Sequence, residues 1–308
     1  MKKFFTSFLF ALMLTCYGAS AQPWLFTYFQ GSGDGLHFAY SRDGLTWTAL
    51  NDGKIYVKPE IGGKLMRDPS IVEGPDGTFH MVWTSSWTDR IIGYASSKDL
   101  VNWSEQKEIP VMMHEQEAKN AWAPELFYDS KSKLYYIIWA TTIPDRHSPV
   151  AESEREKGLN HRQYYVTTKD FKTFSPTKMF FDPNFSVIDG AIIKTGKEYM
   201  FVVKNENPNP AEKNLRVTFT KNLKKGFPTE VSAPITGDYW AEGPSPLQVG
   251  DYVYVYFDKY RDGKYGAVRS KDGRVWEDVS DEVTFPRGMR HGTAFSVSEE
   301  ILQNLLEE

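Results

Sequence analysis

The chain has 308 residues and a formal net charge of −4, with no basic run, which argues against nucleic acid as a partner. Its single cysteine, Cys16, falls in the N-terminal leader, so a mature chain lacks a disulfide, a cysteine nucleophile and a thiolate metal site. Aromatic side chains make up 15% of the residues, a supply of flat apolar faces that suits sugar binding and β-sheet cores alike. At the N-terminus, Lys2 and Lys3 precede an apolar run over residues 4–14 and the small residues Ala19, Ser20 and Ala21. That order reads as a secretory signal peptide over residues 1–21, cleaved before Gln22, and predicts a secreted or periplasmic protein. Cys16 offers a second reading as a lipid-anchored terminus, but Thr15 before it is a poor match to that signal. No later stretch is long and apolar enough for a transmembrane segment. Residues 22–308 are then expected to form one all-β domain.

A repeat dominates this remainder. A β-rich run, a Ser or Thr, a charged residue, Asp or Asn, and an aromatic four or five residues later recur five times. The copies are FAYSRDGLTW, GYASSKDLVNW, YYVTTKDFKTF, VTFTKNLKKGF and GAVRSKDGRVW, with turn residues Asp43, Asp99, Asp170, Asn222 and Asp272. Alternating apolar and polar residues make half-buried strands, the Asp makes a tight turn, and the aromatic packs back between units. These Asp and aromatic residues are therefore assigned to structure. The hairpin is similar to the Asp-box of sialidases, one residue short between Asp and Gly. Five copies, each with room for about four strands, predict a five-bladed β-propeller.

Each copy carries a polar residue that opens an apolar strand: Asp68, Glu125, Asp189, Glu242 and, last, His291. No second strand follows His291, and no such opening strand precedes residue 24. The C-terminal strand is therefore expected to complete the first blade and close the ring. Because first strands line a propeller's channel, the five residues are expected to share one register and to meet at one channel mouth. Asp-Pro and Asp-Gly are ordinary turn signals one at a time, but four carboxylates crowded at one mouth cost stability and point to function. Loops joining second and third strands, at residues 85–90, 143–162, 205–214 and 259–264, should form the rim. Trp87, Trp122, Tyr239 and Trp240 are candidates to stack on a sugar, with core packing as the plain alternative. Arg67 and Arg290 flank ring residues, to bind hydroxyls or to balance charge. His37, His80, His114, His147 and His161 lack ligand spacing and read as ordinary. Ile301, Leu302, Leu305 and Leu306 fall at helical spacing, predicting a short capping helix.

Taken together, DPSI at Asp68, WAPE at Glu125, IDG at Asp189, EGP at Glu242 and HGT at His291 resemble glycoside hydrolase family 43, in order and along nearly the whole mature chain. The resemblance implies a five-bladed propeller and an inverting glycosidase acting on arabinose- or xylose-containing plant polysaccharides. It implies that Asp68 is the general base, Asp189 the carboxylate that tunes the acid, and Glu242 the general acid. It also implies a histidine, His291, that in relatives helps to hold a hydrated calcium ion. The family commonly has Asp where this chain has Glu125, which leaves a substrate contact or a structural role open there. Inversion needs a charged base and a protonated acid about 6.5–9.5 Å apart. Burial and Asp189 are expected to raise the Glu242 pKa, while Asp68 stays ionised.

An α-L-arabinofuranosidase is the preferred reading, with β-xylosidase next. A retaining propeller hydrolase is less well supported, because the nucleophile and acid segments of fructan enzymes and the arginine triad of sialidases are missing. A non-catalytic sugar-binding propeller would suit the aromatic rim but does not need the three acids. No cofactor is required for the chemistry; a calcium ion near His291 is compatible with the ring. Oligomeric state is not readable from the sequence.

Overall fold

In the computed structural model, residues 22–147, 159–208 and 210–308 are described, so residues 1–21, where a leader is expected, with Cys16, and most of the 143–162 loop, lie outside the description. Five antiparallel sheets follow one another along the chain. The first blade holds β1 (Trp24–Tyr28), β2 (His37–Ser41) and β3 (Thr48–Ala49), and the second β4 (Arg67–Glu73), β5 (Phe79–Thr84), β6 (Ile92–Ser97) and β7 (Lys107–Ile109). The third holds β8 (Trp122–Asp129), β9 (Leu134–Thr142), β10 (His161–Thr168) and β11 (Lys178–Phe181). The fourth is β12 (Val187–Thr195), β13 (Glu198–Asn205) and β14 (Asn214–Thr220). The fifth is β15 (Glu242–Val249), β16 (Tyr252–Lys259), β17 (Lys264–Ser270) and β18 (Glu277–Asp278). The last strand, β19 (Ala294–Ser296), returns to pair with β1, Leu25 opposite Phe295, so the first blade is closed by the C-terminus as expected. No helix of the described residues is long and apolar enough to cross a membrane.

The fourth blade departs from the expected four strands. Ser232 and Ile235 each donate a backbone hydrogen bond to β14, at Val217 and Leu215, but Pro228 and Pro234 carry no N–H and the ladder goes no further.

The repeated turns behave as their spacing predicts. One carboxylate oxygen of Asp43 accepts from the backbone N–H groups of Leu45 and Thr46 at 2.8 and 2.7 Å, and Asp99, Asp170 and Asp272 repeat the pattern. The aromatic that follows packs toward the preceding blade. Trp47 lies against Tyr256 of the fifth blade at 5.5 Å between centroids, Trp103 joins the cluster between blades one and two, and Phe227 meets Phe201 and Phe180 between three and four. The core is therefore five apolar layers between neighbouring blades, each shared by two sheets. A blade cannot bury both faces alone, so the ring is the cooperative unit. Ser298 caps the helix α1 (Glu299–Leu306), accepting from the Ile301 N–H at 3.2 Å, and α1 buries Leu302 and Leu305 between blades one and two.

Candidate active site

Four of the five inner strands begin with the same irregularity. Arg67 pairs with Thr84, but the next pair is Ser70 with Val82, so β4 carries one extra residue; β8, β12 and β15 do likewise after Trp122, Ile188 and Glu242. Such a bulge bends the strand and re-aims a side chain at the channel mouth. The first bulged residue has a left-handed backbone in each case: Asp68 at φ 53°, Ala123 at 47°, Asp189 at 52° and Gly243 at 62°. His291 holds the matching place in the closing segment, just after the Arg290–Phe29 bridge.

This register corrects the sequence reading. Asp68, Asp189 and His291 are equivalent, as expected, but Glu242 precedes the bulge by one residue and Glu125 follows it by two. Glu242 still lines the same cavity as Asp68, Asp189 and His291, while Glu125 does not line it. Glu125 lies deeper in the channel, where its Oε2 accepts from the Thr293 hydroxyl at 3.1 Å. Burial pushes its carboxyl up to about 7. Gly243 is required where it stands, since a Cβ there would come within 2.4 Å of the His291 ring.

The cavity measures about 150 Å³ and joins residues from blades one, two, three, four and five. The Thr84 hydroxyl donates to Asp68 Oδ2 at 2.8 Å while accepting from the Ala123 N–H at 2.8 Å, which fixes the carboxylate plane. His291 Nδ1 lies 3.2 Å from the other oxygen of Asp68. Burial opposes charge on Asp68, but the contact with His291 and the nearby Arg67 prevail and hold it down at about 2. Burial likewise works against the imidazolium, yet Asp189, Asp68 and Glu242 together lift His291 to about 9. Asp189 accepts from the Gly243 N–H at 2.9 Å; burial, with Glu242 and Asp68 nearby, pushes it up to about 6 despite His291 and Lys204.

Glu242 differs from its expected state. Its Oε2 lies 3.0 Å from Lys204 Nζ and its Oε1 3.0 Å from Arg290, so that burial, which alone raises a carboxyl, is outweighed and the group sits below its ordinary pKa. Arg290 is braced in turn by Asp258, whose oxygen accepts from Nε at 2.5 Å. Lys204 was not anticipated. It comes from β13, opposite Ile188, with its side chain 2% exposed, and also meets Glu206 Oε2 at 2.7 Å. Lys213 Nζ holds the other Glu206 oxygen at 2.8 Å. The signal was present: a lysine inside the apolar run YMFVVKNE is costly unless it is paired.

The aromatic candidates divide. Trp122 and Trp87 line the cavity and meet edge to face at 5.9 Å, and the Trp122 N–H donates to the Trp87 carbonyl at 3.0 Å. Trp240 does not line it and instead lies under Arg261 at 4.4 Å. Tyr239 stacks on Phe257 and its hydroxyl donates to Asp278, a structural role. Arg67 is sandwiched between Phe29 at 4.5 Å and Trp87 at 4.6 Å, and no described residue gives its guanidinium a hydrogen bond or an ion pair. His37 pairs with Asp34, and His80 stacks on Phe171. His161 sits under Trp122 at 5.2 Å, its pKa forced down to about 3 by burial and by Lys204 and Lys213, so it is neutral.

The donor set does not suit a directly held calcium ion. Among the described residues no three His, Asp or Glu side chains are grouped to hold a metal, and His291 Nδ1 is turned to Asp68.

A ring of blades that gathers Asp68, Asp189 and Glu242 around one small cavity has the paired carboxylates that glycoside hydrolysis needs. The chain belongs to the family described as "Probable glycosyl hydrolase domain" (Glyco_hydro_43_rel), which matches residues 20–302 and is related to glycoside hydrolase family 43. A curated relative, an α-L-arabinofuranosidase of Bifidobacterium longum subsp. longum, is 22% identical over 188 residues. That match covers 55% of this chain but 18% of the relative, so the chain spans under a fifth of that protein's length. Similar solved structures include an α-L-arabinofuranosidase from Lactobacillus brevis, with TM-score 0.52 and 16% identity over 69% of this chain and 72% of that one. Another is the Bacteroides ovatus xyloglucan-locus protein GH43B, with TM-score 0.53 and 18% identity over 73% and 42%. At these identities the structural likeness concerns the fold.

Proposed function

We propose that the protein is an exported inverting exo-glycosidase, an α-L-arabinofuranosidase acting on arabinose-containing plant polysaccharides or oligosaccharides. The observation that carries this reading is the meeting of Asp68, Asp189 and Glu242, from three blades, at one cavity. Its volume of about 150 Å³ is below the roughly 300–1,000 Å³ of sites for larger ligands, which favours a single terminal sugar ring. The arabinofuranosidase relative supports the sugar chosen.

In this reading Asp68, held ionised by His291, takes a proton from a water molecule. That water attacks the anomeric carbon on the face opposite the leaving oxygen, and the carbon–oxygen bond breaks as Glu242 gives that oxygen its proton. Asp189, bonded to the Gly243 N–H beside Glu242, tunes the acid electrostatically. Arg67, fixed flat by two rings, presents its in-plane N–H groups to sugar hydroxyls. Trp87 and Trp122 wall the cavity, although one face of Trp87 is already taken by Arg67. Export rests on the sequence of residues 1–21, and N-terminal sequencing of the mature protein at Gln22 tests it.

The experiment is arabinose release from an aryl α-L-arabinofuranoside, run beside an aryl β-xyloside and a galactoside, for the wild type and Glu242→Gln. Loss of general acid catalysis typically costs about 10²–10⁴-fold. Undiminished turnover in the variant removes Glu242 as the acid; turnover of the xyloside alone replaces the sugar.

A further inference from the structure

An acid catalyst must carry a proton when its substrate is bound, yet both oxygens of Glu242 are occupied by cationic donors in the empty site. The two donors are not equivalent. Arg290 is locked, because its Nε is held by buried Asp258 and its other face lies toward Phe29. Lys204 has somewhere else to go. Its Nζ is already shared between Glu242 Oε2 at 3.0 Å and Glu206 Oε2 at 2.7 Å. Glu206 is kept in place through its other oxygen by Lys213, which also donates to the Glu206 carbonyl at 3.1 Å. Lys204, Glu206 and Glu242 all line the cavity, so the space beside Glu242 Oε2 that Lys204 fills is part of the pocket open to a sugar.

We propose that Lys204 is a movable positioning residue: it holds Glu242 as a carboxylate in the empty site, and on substrate binding it withdraws onto Glu206, so that Glu242 takes a proton from solvent and becomes the acid. This rests on the reading of Glu242 as the acid. The change is a proton uptake coupled to binding, with no covalent step: the glycosidic oxygen takes the place of the ammonium at Oε2, and the ammonium charge is then balanced by Glu206.

The charged surroundings leave the lysine as the variable part. Glu242 faces Lys204 from β13, Asp189 from β12, Asp258 from β16, and Arg290 and His291 from the segment before β19, with Asp68 of β4 lining the same cavity. Lys204 in turn faces Glu206, Glu242, Asp189 and the Tyr260 ring at 4.8 Å, with Lys213 and neutral His161 nearby. Among the described residues, only Lys204 joins Glu242 to a second acceptor on the cavity wall.

The test is a pair of pH profiles with the aryl pentoside, since kcat/KM reports groups of the free enzyme and kcat those of the complex. For the wild type, the alkaline limb of kcat should lie above that of kcat/KM. Lys204→Met should raise the kcat/KM limb by about 1–3 pH units, the usual effect of removing one close opposite charge, and bring the two limbs together. Lys204→Arg should restore the separation. Glu206→Gln should act in the other direction, lowering the kcat limb, because the lysine loses its retreat. Coincident limbs in the wild type, or Met and Gln variants that shift the same way, would overturn the proposal. If Lys204→Met does not fold, the sign of the Glu206→Gln shift decides alone. Should Glu242→Gln prove fully active, the acid assignment itself has failed; an inactive Glu242→Gln with unmoved limbs in the Lys204 variants defeats only the lysine's role.

Discussion

His291→Gln should separate the pH dependence of stability from that of catalysis. His291 is buried in the folded protein and its pKa is lifted to about 9, against about 6.5 in an unfolded chain. A raised folded-state pKa contributes stability that is whole below pH 6.5 and is lost as pH climbs through 9. Two and a half units correspond to about 3 kcal/mol, of which roughly 1 kcal/mol should vanish between pH 8 and 9.5. Its side chain is only 12% exposed, so solvent screening reduces this little. Three buried carboxyls also take away stability as pH rises, but Glu125 at about 7 and Asp189 and Asp258 at about 6 are largely ionised by pH 8. In the window above pH 8 the histidine is the largest single contributor, while tyrosines held above their ordinary range also begin to take away stability as pH nears 9.5, in wild type and variant alike. The assay is urea unfolding at fixed pH values, with the wild type losing more stability across the window than His291→Gln. The same variant deprives Asp68 of its cation, so the acid limb of kcat/KM should climb from near pH 2 toward the ordinary carboxylate range. Parallel stability curves from pH 8 to 9.5, together with an unmoved acid limb, would refute the idea that this ion pair sets both properties.

Other outcomes follow from single contacts. Arg67→Met should raise KM about tenfold or more while leaving kcat within a few-fold, since Arg67 faces the cavity with no hydrogen bond or ion pair from a described residue and is placed to bind substrate in ground and transition state alike. Steady-state kinetics separate the two terms. Gly243→Ala should destabilise the fold by about 1 kcal/mol or more and lower kcat, because a left-handed backbone must accept a Cβ that collides with the His291 ring. Denaturation midpoints and activity on the same preparations check it.

Much of the architecture was legible because it repeats. Asp43, Asp99, Asp170 and Asp272 announce their turns independently, and a closing strand followed from His291 having no second strand after it. The register of the site was read one step too simply. The five chosen residues were aligned by polarity, whereas the bulges align Asp68, Ala123, Asp189, Gly243 and His291. The signal was the Pro or Gly after each of them, as in Asp68-Pro69, Ala123-Pro124 and Gly243-Pro244. That alignment lowers Glu125 into the channel and explains why it touches Thr293 and not the cavity.

The charge state of Glu242 was not legible in the same way. Its neighbours in sequence are Ala241 and Gly243, and its two cations come from β13 and from the segment before β19, brought near only by ring closure. Local reasoning saw burial and a neighbouring acid, both of which raise a carboxyl; the structure adds the two nearer cations that decide the sign. Closeness to Glu242 along the chain likewise does not carry the Trp240 ring to the cavity wall; it lies under Arg261.

The account stands most directly on the first sugar anomer released from an aryl α-L-arabinofuranoside, followed by proton NMR before mutarotation. Attack of an Asp68-activated water opposite a Glu242-protonated leaving group predicts β-L-arabinofuranose as the initial product, released far more slowly by Glu242→Gln. Initial release of the α-anomer, or equal release by the variant, would contradict it.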